Sequence, residues 1–374
     1  MQINFIDLKR QQDRIHPEID RAIASVLNSG NYVMGEQCKE LEDKLADYVG
    51  VKHCLGCANG TDAIRLALVT IGIKPDDMVL TTNFTFFATS EVIVELGAIP
   101  IFVDVDDTYN MCPIDLDHKA QQLSNSGLPI KGIVSVDLFG LPANHLAINK
   151  IAKKYDLWHL EDGAQGFGGK IADQVNCSFG DISTTSFFPA KPLGCYGDGG
   201  AIFTNNDDFA EHIKSLRVHG KGSHKYENIR IGYNSRLDTI QAAILIEKLK
   251  IFNDEIDAKN NLAILYNSNF NHIEGVSVPV VPDGFISSWA QYSLVVEDRD
   301  DVVEKLTKKG IPTAIYYPKT MSQTKALLKF KDFQLEGLSN SEKLCKKIIS
   351  LPMHAYFTKD EKEYIVESVL SALS

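Results

Sequence analysis

One lysine stands where the chain could most readily build a reactive amine. Lys191 comes just after a strand-like run over 182–188 that stops at Pro189, and a glycine-rich loop follows it. An amine held in this way and partly removed from water has a lowered pKa and can attack a carbonyl carbon. The alternative is an ordinary surface lysine in a loop, because most lysines are exposed. The choice between the two depends on the residues that share its site.

An acid and an amide follow another strand-like run, at Asp162 and Gln165. A carboxylate at the end of a buried strand can face a ring nitrogen. If the ring is that of pyridoxal phosphate, this pairing keeps the nitrogen protonated and makes the ring an electron sink. Gln165 could then hold the phenolic oxygen on the other edge. A helix cap or a buried ion pair would explain the same acid without a cofactor.

Phosphate binding is indicated by a turn of small residues, Gly60, Thr61 and Asp62, that precedes an apolar-periodic helix. Free N–H groups and the helix dipole attract an anion to such a turn. Thr61 or Asp62 can equally be an N-cap with no ligand. Ser186 could give a hydroxyl to the same phosphate. Phe86 could stack on a ring, although a single aromatic is more often part of a core.

Alternating strands and helices must position these residues. Apolar runs predict strands over 51–57, 78–82, 99–105, 132–138, 157–160, 182–187 and 200–204, and helices over 17–27, 39–48, 87–96, 146–154, 208–218 and 238–249. This alternation predicts an α/β protein with a mostly parallel sheet. Such sheets bind ligands beyond the carboxyl ends of their strands, which is where the candidate motifs fall.

The pattern changes after about residue 250. A long helix through Asn269 leads to strand-like runs over 276–281 and 291–296, and then to helices over 302–309, 339–349 and 359–373. We therefore expect a large cofactor-binding domain over 1–250, including an N-terminal segment. A smaller α+β domain is expected over 251–374.

The composition limits the class of protein. Of 374 residues 44% are hydrophobic, and the net charge of −11 argues against a nucleic-acid partner, which needs a basic surface. Seven scattered cysteines predict a reducing compartment and no disulfide framework, and their spacing lacks the paired ligands of a zinc site. No run is apolar for long enough to be a membrane helix, and no signal region is evident. We expect a cytoplasmic protein without a metal.

Taken together, the motifs resemble the sugar aminotransferase family of DegT/StrS type, which are fold-type-I pyridoxal-phosphate-dependent transferases. The resemblance runs nearly end to end and rests on NGTDA at 59–63, NFTF at 83–86, EDGAQ at 161–165, SFFPAK at 186–191 and GYNSRL at 232–237. Each motif alone is weak, whereas the set in this order is specific. The resemblance implies pyridoxal 5'-phosphate as the cofactor.

The resemblance also implies a role for each matching position. Lys191 matches the catalytic lysine that binds the cofactor covalently and moves protons, Asp162 the partner of the pyridine nitrogen, and Gln165 the ligand of the phenolic oxygen. Asn234 matches an asparagine that reaches the phosphate of the other subunit, which implies a homodimer. The remaining cofactor positions are the phosphate ligands Gly60, Thr61, Asp62 and Ser186 and the stacking aromatic Phe86.

Substrate recognition is implied less directly. Tyr316 and Tyr317 occupy a segment that reads His-Tyr-Pro in similar enzymes and approaches the sugar nucleotide. The tyrosine at 316 therefore departs from the family pattern. Arg236 and His219 are candidates for the sugar or the diphosphate, and either could instead make structural hydrogen bonds.

The implied reaction moves the amino group of L-glutamate to a keto group of a nucleotide-linked sugar, for surface polysaccharide, lipopolysaccharide or amino-sugar biosynthesis. The run over 187–198 is most similar to enzymes that aminate C3 of UDP-linked 2-acetamido-3-keto uronic acids. Amination at C4 of a dTDP- or UDP-4-keto-6-deoxy sugar is the alternative, and a non-catalytic regulator that binds the cofactor is an alternative of another class. Some relatives that dehydrate the sugar have histidine in place of the lysine, and Lys191 argues against that reaction.

Overall fold

The computed structural model describes residues 2–224 and 226–373. In chain order its strands are β1 (His53–Cys57), β2 (Met78–Thr82), β3 (Ile99–Val103), β4 (Ile130–Val136), β5 (Trp158–Asp162), β6 (Lys170–Ile171), β7 (Gln174–Val175), β8 (Ile182–Ser186), β9 (Gly200–Thr204), β10 (Val276–Ser277), β11 (Phe285–Ile286), β12 (Tyr292–Val296) and β13 (Ile348–Leu351). Its α-helices are α1 (Leu8–Ser29), α2 (Glu36–Val49), α3 (Gly60–Ile71), α4 (Ala88–Glu95), α5 (Pro113–Asn125), α6 (His145–Lys154), α7 (Asp207–Leu216), α8 (Thr239–Leu249), α9 (Phe252–Phe270), α10 (Arg299–Lys308), α11 (Ser339–Lys347) and α12 (Lys359–Leu373). Two 3₁₀ segments cover Leu138–Gly140 and Lys325–Phe333.

A seven-stranded sheet in the order β1-β9-β8-β5-β4-β2-β3 forms the centre of the protein. Strands β8, β5, β4, β2 and β3 pair in parallel, whereas β9 is antiparallel to both β8 and β1. The carboxyl ends of β1 and β8 therefore meet the amino end of β9, where Gly200 lies between Cys57 and Ser186. The predicted α/β fold with a mostly parallel sheet is confirmed.

Helices cover both faces of this sheet because consecutive strand residues point to opposite sides. Phe203 and Cys54 face a core formed with α2 and α8, whereas Ile202 and Leu55 face a core formed with α3 and α7. Helices α5 and α6 close the far end of the sheet over β2, β3 and β4. The result is a rigid support from which loops extend at the carboxyl edge.

The C-terminal part has its own antiparallel sheet, in the order β10-β12-β13, packed on α9, α10 and α12. The predicted boundary after residue 250 falls just before α9, and the division into domains 1–250 and 251–374 stays a prediction. Helix α9 belongs to both regions: Phe252 and Ile256 pack in the core of the large sheet, whereas Tyr266 and Phe270 pack in the C-terminal core.

Several predicted boundaries were wrong for physical reasons. Helix α1 begins at Leu8, not near Pro17, because Asp7 caps it by accepting a hydrogen bond from the Arg10 N–H at 3.0 Å. The chain leaves helical geometry at Ile15, so Pro17 falls in the first turn of the next helical segment, where a missing N–H is tolerated. Helix α5 was not predicted, although Leu116, Ala120 and Leu123 stand at helical spacing behind Pro113. Its buried Lys119 donates from Nζ to the Phe102 carbonyl oxygen.

Two predictions in the C-terminal part also differ from the structure. The run over 339–349 was predicted as one helix, but α11 ends at Lys347 and the apolar residues that follow form β13 against β12. A short apolar run can form either a helix or a strand, and here pairing with β12 makes it a strand. The strand predicted over 276–281 pairs only at Val276 and Ser277, since Pro279 cannot donate to a ladder.

Candidate active site

A cavity of about 610 Å³ opens at the carboxyl edge of the large sheet. It is lined by the predicted site residues Gly60, Thr61, Phe86, Asp162, Gln165, Ser186, Lys191, Tyr316 and Tyr317. The lining comes from strand ends, helix starts and one C-terminal segment, so residues far apart in the chain meet only through the fold. Four further predicted residues, Asp62, His219, Asn234 and Arg236, are not part of this lining.

Lys191 is held by the backbone of its own loop. Its N–H donates to the Phe188 carbonyl oxygen at 2.8 Å, and the buried Lys248 Nζ donates to the Gly194 carbonyl oxygen at 2.7 Å, which fixes the following turn. Burial lowers the pKa of the Lys191 amine, and the nearby Asp162 carboxylate partly opposes this effect. The amine is therefore easier to deprotonate than an exposed lysine, as nucleophilic attack requires.

Asp162 ends strand β5 and is buried. Thr89 Oγ1 donates to its Oδ2 at 2.8 Å, and the Ala164 N–H donates to its Oδ1 at 3.2 Å. Burial raises the pKa of Asp162, while these two hydrogen bonds and the charge of Lys191 act in the opposite direction. The carboxylate is thus oriented by neutral donors and is available to pair with a positively charged ring N–H.

Directly behind Asp162 lies a buried group, Asp137, His145 and Glu161, that the sequence did not indicate as a site. His145 Nε2 lies 2.7 Å from Asp137 Oδ1. Burial lowers the pKa of His145, but the two carboxylates outweigh it and the pKa is raised. Glu161 already accepts hydrogen bonds from the Phe179 N–H and Ser183 Oγ. We interpret the group as an ion pair that supports the end of β5 and not as a metal site.

Gln165 is fixed at both ends of its amide group. Its Oε1 accepts a hydrogen bond from the Phe139 N–H at 3.0 Å, and its Nε2 donates to the Tyr317 hydroxyl at 3.0 Å. Phe139 reaches this position from a left-handed backbone conformation, with φ of 59°. Because the oxygen is occupied by the backbone, Gln165 offers the cavity a donor, which suits an anionic phenolic oxygen.

The turn before α3 forms a close-fitting cradle. Asn59 is its N-cap, because Asn59 Oδ1 accepts from the Asp62 N–H at 2.8 Å; neither Thr61 nor Asp62 caps the helix. A β-carbon on Gly60 would lie 2.7 Å from Ser186 Cβ, and one on Gly200 would lie 2.6 Å from the Asn59 carbonyl group. Only glycine allows the backbone to approach this closely, and the first-turn N–H groups lie where an anion would be bound.

Asp62 is directed to another partner. Its carboxylate forms an ion pair with Arg65, which also binds Glu95. Its N–H is taken by Asn59. Gly60, Thr61 and Ser186 line the cavity and Asp62 does not, and the phosphate contact of Asp62 stays a prediction.

Three other predicted residues lie between α7 and α8. His219 and Asn234 are exposed, and the His219 N–H donates to the Tyr233 carbonyl oxygen at 2.8 Å. Arg236 is partly exposed and does not line the cavity of its own chain. The roles of these residues in binding phosphate or sugar stay predictions.

The residues that line the cavity fit pyridoxal phosphate. Lys191 and the buried Asp162 both line the cavity, Gln165 offers it a neutral donor, and the Gly60–Ser186 cradle has the close backbone approach that a phosphate group needs. Phe86 is 54% exposed, with its ring centroid 6.5 Å from that of Tyr317, so a ring face is free for stacking. The sequence analysis did not assign roles to Asn59, Thr89 and Phe139. Only Asn59 could have been identified from the sequence, because asparagine before a turn of small residues is a typical helix N-cap.

Comparison with known proteins agrees with this geometry. Residues 13–370 match the DegT/DnrJ/EryC1/StrS aminotransferase family. The chain belongs to this family. It is a pyridoxal-phosphate-dependent aminotransferase, and the cofactor prediction is confirmed.

Two curated relatives align with almost the whole chain of this aminotransferase. The chain is 43% identical to the UDP-2-acetamido-2-deoxy-3-oxo-D-glucuronate aminotransferase of Pseudomonas aeruginosa, over 95% of this chain and 96% of the relative. It is 37% identical to a protein of Geobacillus stearothermophilus named pleiotropic regulatory protein, over 99% of this chain and 98% of the relative. The crystal structure of a DegT DnrJ EryC1 StrS aminotransferase from Brucella abortus superposes with a TM-score of 0.95 at 44% identity, over 99% of each chain.

Three residues of the cavity, Lys191, Asp162 and Gln165, could each serve a different step of transamination. Bound pyridoxal phosphate supplies an electron sink for the carbanion formed when a substrate loses a proton. Lys191 Nζ, with its lowered pKa, would be the group that bonds to the cofactor's carbonyl carbon and that accepts or donates the proton. Asp162 would pair with the ring N–H, and Gln165 Nε2 would stabilise negative charge on the phenolic oxygen.

Among residues 2–224 and 226–373, no helix combines the length and the apolar character that crossing a membrane requires.

Proposed function

We propose that this aminotransferase moves the amino group of L-glutamate to the C3 keto group of a UDP-linked 2-acetamido-3-keto sugar or uronic acid. The observation that carries the proposal is that Lys191, Asp162, Gln165 and Ser186 line one cavity of about 610 Å³. A cavity of this size has room for a sugar beside the cofactor. The name of the Pseudomonas aeruginosa relative supports C3 as the position and UDP as the nucleotide.

The cavity wall supports a hydroxyl-rich sugar as the acceptor. Tyr316 and Tyr317 line it from the C-terminal part, and Gln165, Thr85 and Ser186 add polar groups. Arg236 and His219 are proposed to contact the diphosphate or the sugar from the neighbouring segment. The tyrosine at 316 is proposed to contact the sugar in place of the family's histidine.

We further propose that the enzyme works as a homodimer in the cytoplasm. Asn234 is exposed on its own chain, and exposed apolar side chains flank its segment: Ile231 is 93% exposed, and Tyr32 and Val33 are about half exposed beside Asp238. Clustered apolar side chains of this kind mark a surface that another chain covers. Asn234 would then reach the phosphate of the partner's site.

A regulatory protein without turnover is the second candidate, since the Geobacillus stearothermophilus relative is named as a regulatory protein. Intact Lys191, Asp162, Gln165 and Ser186 support catalysis instead, because a regulator has no need of an amine with a lowered pKa beside a buried acid.

A visible absorbance spectrum before and after addition of L-glutamate tests the proposal. We expect the band of the lysine-bound cofactor in wild type to bleach with glutamate and to return when the correct keto-sugar is added. Lys191→Ala should lack this band, bind the cofactor without a covalent bond and show no turnover. Product analysis by NMR then locates the new amino group at C3 or C4. A band that glutamate never bleaches would favour the regulator, and an amino group at C4 would contradict the proposed acceptor.

A further inference from the structure

Asp137 directly follows strand β4 and is buried without lining the large cavity. Its main-chain N–H donates to the Asp162 carbonyl oxygen at 3.0 Å, which fixes it beside the end of β5. Its two carboxylate oxygens then bind two different parts of the surrounding chain. These parts hold two turns, and each turn carries one partner of the hydrogen bond between the Phe139 N–H and Gln165 Oε1.

The first turn runs from Asp137 to Ala143 and carries Phe139. Asp137 Oδ1 accepts a hydrogen bond from the Ala143 N–H at 2.9 Å, which closes the turn. Phe139 within it has a φ of 59°, a left-handed conformation that is unfavourable for a bulky side chain. Such a conformation persists only where the surrounding structure holds it. Closure of the turn by Asp137 therefore helps to present the Phe139 N–H to Gln165.

The second turn carries Gln165 and is held through the other carboxylate oxygen. Asp137 Oδ2 accepts from Asn176 Nδ2 at 3.0 Å, and Asn176 Oδ1 accepts from the Gly168 N–H at 3.0 Å. A β-carbon on Gly166 would lie 2.3 Å from Asp137 Cβ and 2.6 Å from Asn176 Nδ2, so the turn packs directly on this pair. Gln165 is the residue before that glycine, and its position follows from this contact.

His145 keeps the Asp137 carboxylate charged in its buried place. His145 Nε2 lies 2.7 Å from Asp137 Oδ1 and 3.7 Å from Glu161 Oε1. Burial alone would raise the pKa of Asp137, but the charge of His145 and the hydrogen bonds to the carboxylate outweigh burial and lower that pKa. A charged carboxylate accepts hydrogen bonds on both oxygens, and such bonds are stronger than those between neutral groups. One acceptor group thus holds both turns.

We infer that Asp137 is a positioning residue for the cofactor site, because its two carboxylate oxygens hold the turns that bring the Phe139 N–H to Gln165 Oε1 and so leave the Gln165 amide N–H for the cofactor. Asp137 acts through Gln165 and lines no part of the cavity itself. The inference concerns the cofactor alone and is independent of which sugar accepts the amino group.

The nitrogen that joins Lys191 to the bound cofactor reports on this geometry. A donor to the anionic phenolic oxygen reduces the negative charge beside that nitrogen and so lowers the pKa of the nitrogen. If the Gln165 donor is removed or turned away, the pKa of the nitrogen should rise. Loss of one hydrogen bond to a charged group corresponds to about one pH unit.

An absorbance titration of the cofactor-loaded enzyme against pH, without glutamate or sugar, tests the inference. We expect Gln165→Ala to raise the pKa of the lysine-bound cofactor by about one unit, and Asp137→Asn and Asn176→Ala to raise it by about half as much or more. Asp137→Asn preserves the size of the side chain. It also removes the main partner that keeps His145 charged, so the net charge of the pair changes little.

Ser183→Ala is the matched control within the same buried group. Ser183 Oγ donates to Glu161 Oε2 at 2.8 Å and binds neither turn. Its loss removes a buried hydrogen bond close to Asp162, as the test variants do, but should leave the pKa of the lysine-bound cofactor unchanged. The control therefore separates positioning of Gln165 from a general loss of support at the end of β5.

A raised pKa in Asp137→Asn and Asn176→Ala, with none in Ser183→Ala, supports the inference. It is overturned if both test variants keep the wild-type pKa, if Ser183→Ala shifts it equally, or if Gln165→Ala does not shift it. A lowered pKa in Asp137→Asn would report only the lost negative charge and would also overturn it. If Asp137→Asn does not fold, Asn176→Ala decides alone. Expected shifts in an enzyme that aminates no keto-sugar would contradict the proposed function and leave this inference standing.

Discussion

Gln165 Nε2 donates a hydrogen bond to the Tyr317 hydroxyl at 3.0 Å, which joins residues 152 positions apart in the chain. The same amide accepts from the Phe139 N–H, so its orientation is determined. We therefore expect Tyr317 to position the donor that Gln165 offers to the cavity.

Replacing Tyr317 by phenylalanine should slow the reaction with L-glutamate. The variant keeps the ring but removes the hydroxyl, and Gln165 loses a hydrogen bond of about 1 kcal/mol, which corresponds to about fivefold in rate. Single-turnover bleaching of the cofactor band measures it. Tyr316→Phe is the control, because the structure gives the Tyr316 hydroxyl no bond to Gln165. Equal rates for the two variants would contradict the role of Tyr317.

Gly60→Ala should destabilise the protein through its contact with Ser186. The added β-carbon would lie 2.7 Å from Ser186 Cβ, and forced overpacking of this kind costs about 1–3 kcal/mol. Thermal unfolding of the cofactor-free protein measures the loss. In a Ser186→Gly background the same alanine should cost less, because part of the clash is gone. An unchanged cost in that background would show that the strain lies elsewhere.

Thr89→Val should move the acid limb of the activity profile to higher pH. Thr89 donates to the charged form of Asp162, so its loss raises the pKa of Asp162 further above its ordinary value. Asp162 acts as the carboxylate, and activity should therefore be lost about one pH unit earlier as pH falls. The pH dependence of kcat/KM measures this shift. Thr81→Val, which removes a buried hydroxyl bonded to the Val134 carbonyl oxygen, should leave the limb in place.

Mixing two inactive variants tests the proposed contribution of Asn234 to the partner's site. Lys191→Ala and Asn234→Ala homodimers should each have little activity. In a mixed dimer one site would have both Lys191 and Asn234, and the other neither. Because half of randomly mixed dimers are mixed and each has one complete site of two, about a quarter of wild-type activity should return. An activity that only averages the two parents would contradict the shared site.

The elements that position the chemistry were largely predictable. Strands β2 and β9 and helix α12 lie where their apolar runs indicated, and the motifs at 59–63, 161–165 and 186–191 do meet at one edge of the sheet. Buried strands and amphipathic helices follow from local patterns of residue type. Resemblance to a family then added the cofactor, which no single motif established.

What the sequence did not show depends on long-range contact. Phe139 is ordinary in type, and its importance arises from the hydrogen bond that its N–H donates to Gln165 Oε1. The ion pair of Asp137 and His145 is likewise visible only once β4 and α6 are packed. Helix α5 shows the reverse case, since its Leu116, Ala120 and Leu123 have helical spacing and the helix was nevertheless not predicted.

Helix α9 has a practical consequence for recombining relatives of this enzyme. Its first turns pack in the core that also contains Phe187 and Leu193, whereas its later turns pack in the C-terminal core. A chimera joined between residues 256 and 262 would keep each end of α9 with its own core, and Tyr316 and Tyr317 would then have to pack against Phe84 and Phe139 of the other parent. A junction placed at the apparent boundary near residue 250 would instead divide a packed core and should give insoluble protein.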